Sequence, residues 1–248
     1  MTILINLHKS IKKNETKKRE NFLLIWYNNI VFKLLSGGNC YMYRMIQWIF
    51  FDVGSTLVDE TTAYRHRMAD MMNETGLPFD ELYHTMLRYF RLGQKGDKAT
   101  AQQYGLTLTP WHSEDDVPYP DAADCLRRLH QNFHIGIIAN QEPGTEERLR
   151  RFGLLPYIDL IVASAEEGVA KPDPMIFQIA LERANCQPEH AVMIGDRPDN
   201  DIAPANALGM MTVRIKQGFS RYAEPQHEGE KPHITVCSLQ EIAELFGQ

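Results

Sequence analysis

No stretch of this chain approaches the ~20 consecutive apolar residues that a membrane-spanning helix needs, and no partner membrane is expected from its body. Cysteine is scarce and scattered. Cys40, Cys125, Cys186 and Cys237 stand far apart, with no CxxC pair and no metal-ligand spacing. That excludes a disulfide framework or a cysteine zinc module and fits free thiols in a reducing, cytoplasmic compartment. Positive charge is also short. Of 26 Lys/Arg and 32 Asp/Glu, eight and two fall before residue 45, leaving 18 and 30 in the body, a net charge of −12. So acidic a body argues against nucleic acid as a partner. Internal repeats and low-complexity tracts are absent there, and 44% hydrophobic with 23% charged residues is ordinary for a soluble globular enzyme.

The first 44 residues read differently. Lys9 to Glu20 is basic and polar, and Phe22 to Leu35 is apolar but interrupted by Asn28, Asn29 and Lys33. A secretory signal would need a small-residue cleavage pattern that does not follow; a basic amphipathic helix at a membrane surface is a second reading. The preferred expectation is a loosely ordered extension outside the fold, with Met42 or Met45 starting the domain cleanly.

Within the body the organising stretch is Ile46 to Glu60. From Met45 to Phe51 only Gln47 is polar, which suits a central parallel strand buried on both faces. It ends abruptly at Asp52, and ligands of open α/β sheets bind beyond such strand ends. Helical patterns follow at Ala63–Thr75, Asp80–Leu92 and Thr100–Tyr104. An interruption of roughly 55 residues is too long for a loop and predicts a helical cap over 60–116. The α/β core then comprises 45–59 and 117–248. Its later strands are His134–Ala139, Asp159–Ala163, a run from Ala191 to Ile194, Met211–Ile215 and Ile234–Val236, alternating with helices. That rhythm predicts an α/β fold with a doubly wound, Rossmann-like parallel sheet.

Three strand ends carry charge: Asp52; the loop Lys171-Pro172-Asp173-Pro174; and Gly195-Asp196-Arg197-Pro198-Asp199-Asn200-Asp201. All project to one edge of a parallel sheet. Clustered carboxylates repel unless a cation sits among them; Lys171 supplies one charge, and a hard, oxygen-seeking Mg²⁺ would supply the rest. On these residues, with Gly54-Ser55-Thr56-Leu57 as a partial match, the chain from Ile46 onward resembles the haloacid dehalogenase-like hydrolases, in the branch with a helical cap after the first strand. The resemblance implies a phosphatase acting through an aspartyl-phosphate on Asp52. It implies Mg²⁺ held by Asp52, the Gly54 carbonyl, Asp196 and Asp201, with Lys171 pairing with Asp52 and with phosphate oxygens. The expected substrate is a small phosphorylated or anionic metabolite, and the oligomeric state is left open.

Two positions depart from the family pattern. The second aspartate, which protonates the leaving group and then activates water, is here Gly54. The phosphate-binding Ser or Thr after the second strand is here Ala139, followed by Asn140. The Asn140 amide and the backbone of Ser55 and Thr56 are the expected compensations for phosphate binding. For proton transfer the candidates are His66 and His84 in the cap and Asp59 and Glu60 at its hinge. Two alternatives stay open: a non-catalytic protein that binds Mg²⁺ and a phosphorylated ligand, and a hydrolase of another bond. A haloacid dehalogenase would lack the Asp196 carboxylate. A phosphonate-cleaving enzyme needs a cap lysine, for which Lys95 and Lys98 are the candidates.

Overall fold

The computed structural model describes residues 46–247. The expectation for the first 44 residues lies outside the described residues. Among the described residues, no helix is long and apolar enough to cross a membrane. Cys125, Cys186 and Cys237 are free thiols, the first two buried.

The frame is a parallel sheet of six strands: β1 (Trp48–Phe51), β4 (His134–Ala139), β5 (Leu160–Ala163), β6 (Ala191–Gly195), β7 (Met211–Ile215) and β8 (Ile234–Val236), in the order β5-β4-β1-β6-β7-β8. β1 lies between β4 and β6, with Phe51 opposite Ile137 on one side and Ile194 on the other. This is the predicted α/β architecture, and its physical cause is the apolar run itself. Ile49 and Phe51 point to one layer of core, packed with helices α4 (Ala122–Leu129), α5 (Thr145–Arg151) and α9 (Leu239–Phe246). Phe50 points to the other, packed with α7 (Pro174–Arg183) and α8 (Ala203–Leu208). A strand buried on both faces has no polar face to offer, so period-two alternation is missing from its sequence.

Between β1 and β4 the chain forms a short antiparallel pair, β2 (Val58–Asp59) with β3 (Val117–Pro118), and between them the helices α1 (Thr61–Thr75), α2 (Phe79–Arg91) and α3 (Gly96–Tyr104). The two strands close the entry and exit of the helical segment into one narrow stem. The helices carry their own core, in which Met68, Met71, Leu82 and Met86 are fully buried. Burying each side chain contributes about 1.5–3 kcal/mol. Phe219, from the loop after β7, joins that core against Tyr64 and Phe90, at ring-centroid distances of 5.2 and 5.5 Å. The helices are thereby held over the carboxyl ends of the strands.

Two boundaries differ from expectation. α3 begins at Gly96, four residues early, because Asp97 makes a buried ion pair with Arg67 of α1 and Thr100 Oγ1 donates to the Gly96 carbonyl at 2.7 Å. The helical stretch that follows β6 is divided rather than continuous. A π-helical turn over Pro198–Ile202 precedes α8, and Pro204, which has no N–H to continue the ladder, stands at the junction.

Candidate active site

Asp52 is the first residue beyond β1, and its amide still donates to the Ile194 carbonyl at 2.9 Å. The sheet therefore fixes its backbone. Lys171 arrives from the loop after β5, gripped by Asn140 at the end of β4. The Lys171 amide donates to Asn140 Oδ1 at 2.7 Å, and Asn140 Nδ2 donates to the Lys171 carbonyl at 2.8 Å. From there Lys171 Nζ donates to Asp52 Oδ1 at 2.6 Å and to Asp201 Oδ1 at 2.7 Å. Asp201 is aimed by its other oxygen, which accepts the Arg197 amide at 2.9 Å. Its carboxyl lies directly over Gly195, where a β-carbon would come within 2.4 Å of Asp201 Cγ. Only a residue without a side chain leaves that space.

Asp52, Asp196 and Asp201 are all buried, with one carboxylate oxygen from each lying within 4.8 Å of the others. Burial, then the charges of Asp201 and Asp52, push the Asp196 carboxyl well above the usual carboxylate range. Burial likewise raises Asp201 to about 6, against the lowering pull of Lys171. Burial alone would pull the Lys171 ammonium down, but the carboxylates of Asp201 and Asp52 outweigh it and hold it above its ordinary value. One ammonium thus pairs with two of the three carboxylates. The oxygen donors and unneutralised charge fit a hard divalent cation.

The cluster forms the floor of a cleft of ≈ 370 Å³ beneath the helices. Arg67, Lys95, Lys98, Arg148 and Arg197 bring positive charge to its walls, with Trp111 and Phe90 as apolar surface. Arg67 is stacked 4.8 Å from the Trp111 ring centroid as well as paired with Asp97. Arg197 is braced by Asp199. The Lys95 ammonium is pushed down, first by loss of solvent and then by Arg197 and Lys98.

The turn after Asp52 is tight. Ser55 has φ +55°, a left-handed conformation rare for a residue with a side chain. Its amide donates to the Val58 carbonyl at 2.7 Å, and the Thr56 amide donates to the Val53 carbonyl at 3.3 Å. Thr56 is fully buried with its hydroxyl unpaired and does not line the cleft. The backbone donors of Ser55 and Thr56 close the turn, and the Asn140 amide holds Lys171; Ser55, Asn140 and Lys171 still line the cleft. His66 and His84 do not. His66 is exposed, bonded through Nδ1 to Asp115 at 2.8 Å and stacked on His112.

Sequence reasoning missed Arg214. Its side chain is fully buried, donating to the carbonyls of Asp196 (3.3 Å), Ser220 (2.9 Å) and Ala223 (2.6 Å), so it ties the loop after β7 to the Asp196 strand end. No local pattern marks it, because its partners lie on a loop that only the fold brings back.

Residues 46–209 match the family model for haloacid dehalogenase-like hydrolases. Over 226 residues the chain is 30% identical to a glyceraldehyde 3-phosphate phosphatase of Methanopyrus kandleri, covering 81% of this chain and 97% of that protein. A glyceraldehyde 3-phosphate phosphatase of Pyrococcus furiosus is 32% identical over 229 residues, covering 82% and 94%. Among solved structures, a HAD phosphatase from Thermococcus onnurineus aligns with a TM-score of 0.58 at 22% identity, over 81% of this chain and 98% of that one. At that identity the likeness is one of fold.

Proposed function

Because this chain belongs to the haloacid dehalogenase-like hydrolases, we propose that it is a Mg²⁺-dependent phosphatase of a small phosphorylated metabolite, working through an aspartyl-phosphate on Asp52. The observation that carries this reading is the convergence of Asp52, Lys171, Asp196 and Asp201 at one sheet edge, at the floor of a cleft of metabolite size. The helices of 61–104 act as the cap that closes over the substrate. The phosphatases among its relatives support the bond cleaved.

Asp52, Asp196, Asp201 and the Gly54 carbonyl are the ligands we assign to the metal. A Mg²⁺ held by these groups would offset phosphate charge and orient the phosphoryl group beside Asp52. A carboxylate oxygen of Asp52 forms a bond to phosphorus as the bond from phosphorus to the ester oxygen breaks, its electron pair leaving with that oxygen. Lys171, anchored through Asn140, faces the equatorial phosphate oxygens. Arg197, Lys95 and Lys98 meet the anionic or hydroxylated remainder of the substrate. Water then bonds to phosphorus as the bond from phosphorus to Asp52 breaks, its electron pair restoring the carboxylate, and inorganic phosphate leaves.

The test is steady-state hydrolysis of p-nitrophenyl phosphate with Mg²⁺, with chelator, and by Asp52→Asn. Turnover that disappears in both controls supports the proposal; turnover retained by Asp52→Asn refutes it. A second reading, cleavage of a phosphonate, draws on Lys95, which lines the cleft with its ammonium pushed down. Borohydride trapping of a phosphonoaldehyde on Lys95 supports that reading, and an unmodified lysine removes it.

A further inference from the structure

A glycine two residues beyond Asp52 leaves proton transfer without an owner on that turn, and the chain itself returns a carboxyl to the place. With Ser55 in the left-handed region, the backbone folds back through β2 and brings Glu60 against Gly54. A β-carbon built on Gly54 would lie 2.3 Å from Glu60 Oε1 and 2.7 Å from both Cδ and Oε2. The Glu60 carboxyl therefore occupies the volume into which a side chain at position 54 would project. Ser55 Oγ donates to Glu60 Oε2 at 3.1 Å and sets the carboxyl's orientation. Glu60 lines the same cleft as Asp52 and Lys171.

We propose that Glu60 performs the proton transfers of the hydrolysis from the space that a side chain at position 54 would fill; this rests on the reading of Asp52 as the phosphoryl acceptor. Other candidates are placed less well. Asp59 Oδ1 accepts the Thr61 amide at 2.9 Å. His66 lies outside the cleft, bonded to Asp115. Asp116 lines the cleft, with one oxygen accepting the Trp111 indole N–H at 3.1 Å and the other unpartnered, but it is Glu60 whose carboxyl fills the space over Gly54.

The chemistry balances. In the first half, Asp52 bonds to phosphorus, the electron pair of the broken P–O bond goes to the leaving oxygen, and that oxygen takes the proton of Glu60 and departs as an alcohol. In the second half, Glu60, now a carboxylate, takes a proton from water as the water oxygen bonds to phosphorus. The electron pair of the aspartyl-phosphate bond returns to Asp52, inorganic phosphate leaves, and Glu60 again holds its proton.

The decisive experiment compares wild type, Asp52→Asn and Glu60→Gln on two probes, p-nitrophenyl phosphate and phenyl phosphate, with Mg²⁺ present. Nitrophenolate leaves without a proton and phenolate does not leave as readily. Glu60→Gln should therefore lose about 10²–10⁴ in kcat on phenyl phosphate. On p-nitrophenyl phosphate it should release one fast equivalent of nitrophenolate before a slow steady state, because the second half lacks its base. The Gly54→Asp/Glu60→Gly double variant, which moves the carboxyl back onto the turn, should recover at least tenfold in kcat. Gly54→Asp alone should gain nothing over wild type, since Glu60 fills the space. Unchanged kcat in Glu60→Gln, or equal losses on both probes with no burst and no recovery in the double variant, overturns the inference while leaving Asp52 in place. Turnover that survives Asp52→Asn overturns the underlying reading and this one with it.

Discussion

Replacing Lys171 by methionine removes the one ammonium that two carboxylates share inside the protein. Its side chain is 2% exposed, and its Nζ lies 2.6 Å from Asp52 and 2.7 Å from Asp201, themselves 12% and 1% exposed. Removing one partner of a buried ion pair costs about 3–5 kcal/mol, because the charge left behind is uncompensated. For a fold of about 200 residues, 1 kcal/mol corresponds to roughly 2–4 °C in Tm, so Lys171→Met should melt about 6–20 °C below wild type. The loss should depend on pH with a definite sign. Asp196 and Asp201 already have raised carboxyls, Asp201 at about 6 with the lysine present. A carboxyl raised in the folded state binds protons more readily there than in the unfolded chain, so its burden on stability is full at pH 8 and relieved as pH falls through the folded value. The deficit of Lys171→Met should shrink between pH 8 and pH 5, and Mg²⁺ should recover part of it at pH 8. Thermal denaturation of both proteins at these two pH values, with and without Mg²⁺, decides the matter. A variant that melts with wild type at pH 8, or a deficit indifferent to pH, refutes the reasoning.

Other consequences follow from the same geometry. Asp196→Asn should raise Tm in the absence of Mg²⁺, by relieving a buried charge, and should lose the Mg²⁺-induced stabilisation, which in wild type amounts to about 2.7 kcal/mol at a hundredfold excess over Kd; a metal titration followed by Tm checks both. Gly195→Ala puts a β-carbon 2.4 Å from Asp201 Cγ, so Asp201 must move. It should weaken Mg²⁺ binding at least tenfold and cost about 1–3 kcal/mol, as calorimetry and urea unfolding would report. Burial raises the Asp116 carboxyl to about 6. Wild-type stability should accordingly fall as pH rises through that value, and Asp116→Asn should remove about 1 kcal/mol of that dependence, allowing for its partial exposure. Equal pH slopes in the two proteins would show that Asp116 is not the group concerned.

Much of the frame was legible because burial on both faces leaves a plain mark. The apolar run into Asp52, the strand His134–Ala139 and the strand into Gly195 could be read residue by residue, and parallel strands send their ends to one edge. The meeting of Asp52, Lys171, Asp196 and Asp201 follows from that topology alone. What the sequence left dark depends on side-chain direction after a turn. Nothing local says that Ser55 takes a positive φ, so nothing says that Glu60 comes back to Gly54. For the same reason the backbone of Ser55 and Thr56 and the amide of Asn140 are expected to face phosphate, whereas the two backbone N–H groups close the turn and the amide clasps the Lys171 loop. His66 looked suitable on a cap helix, but helical periodicity does not tell which side of the helix faces the cleft, and it faces Asp115 and His112.

The most direct measurement of the central claim is where the phosphoryl group goes. Wild type and Asp52→Asn would be mixed with radiolabelled acetyl phosphate and Mg²⁺, quenched in acid within milliseconds and digested for peptide mapping. The account predicts an acid-stable, base-labile phosphoryl group on Asp52, formed only with Mg²⁺ and missing from Asp52→Asn. Label on any other residue, or hydrolysis by Asp52→Asn at the wild-type rate, would contradict it.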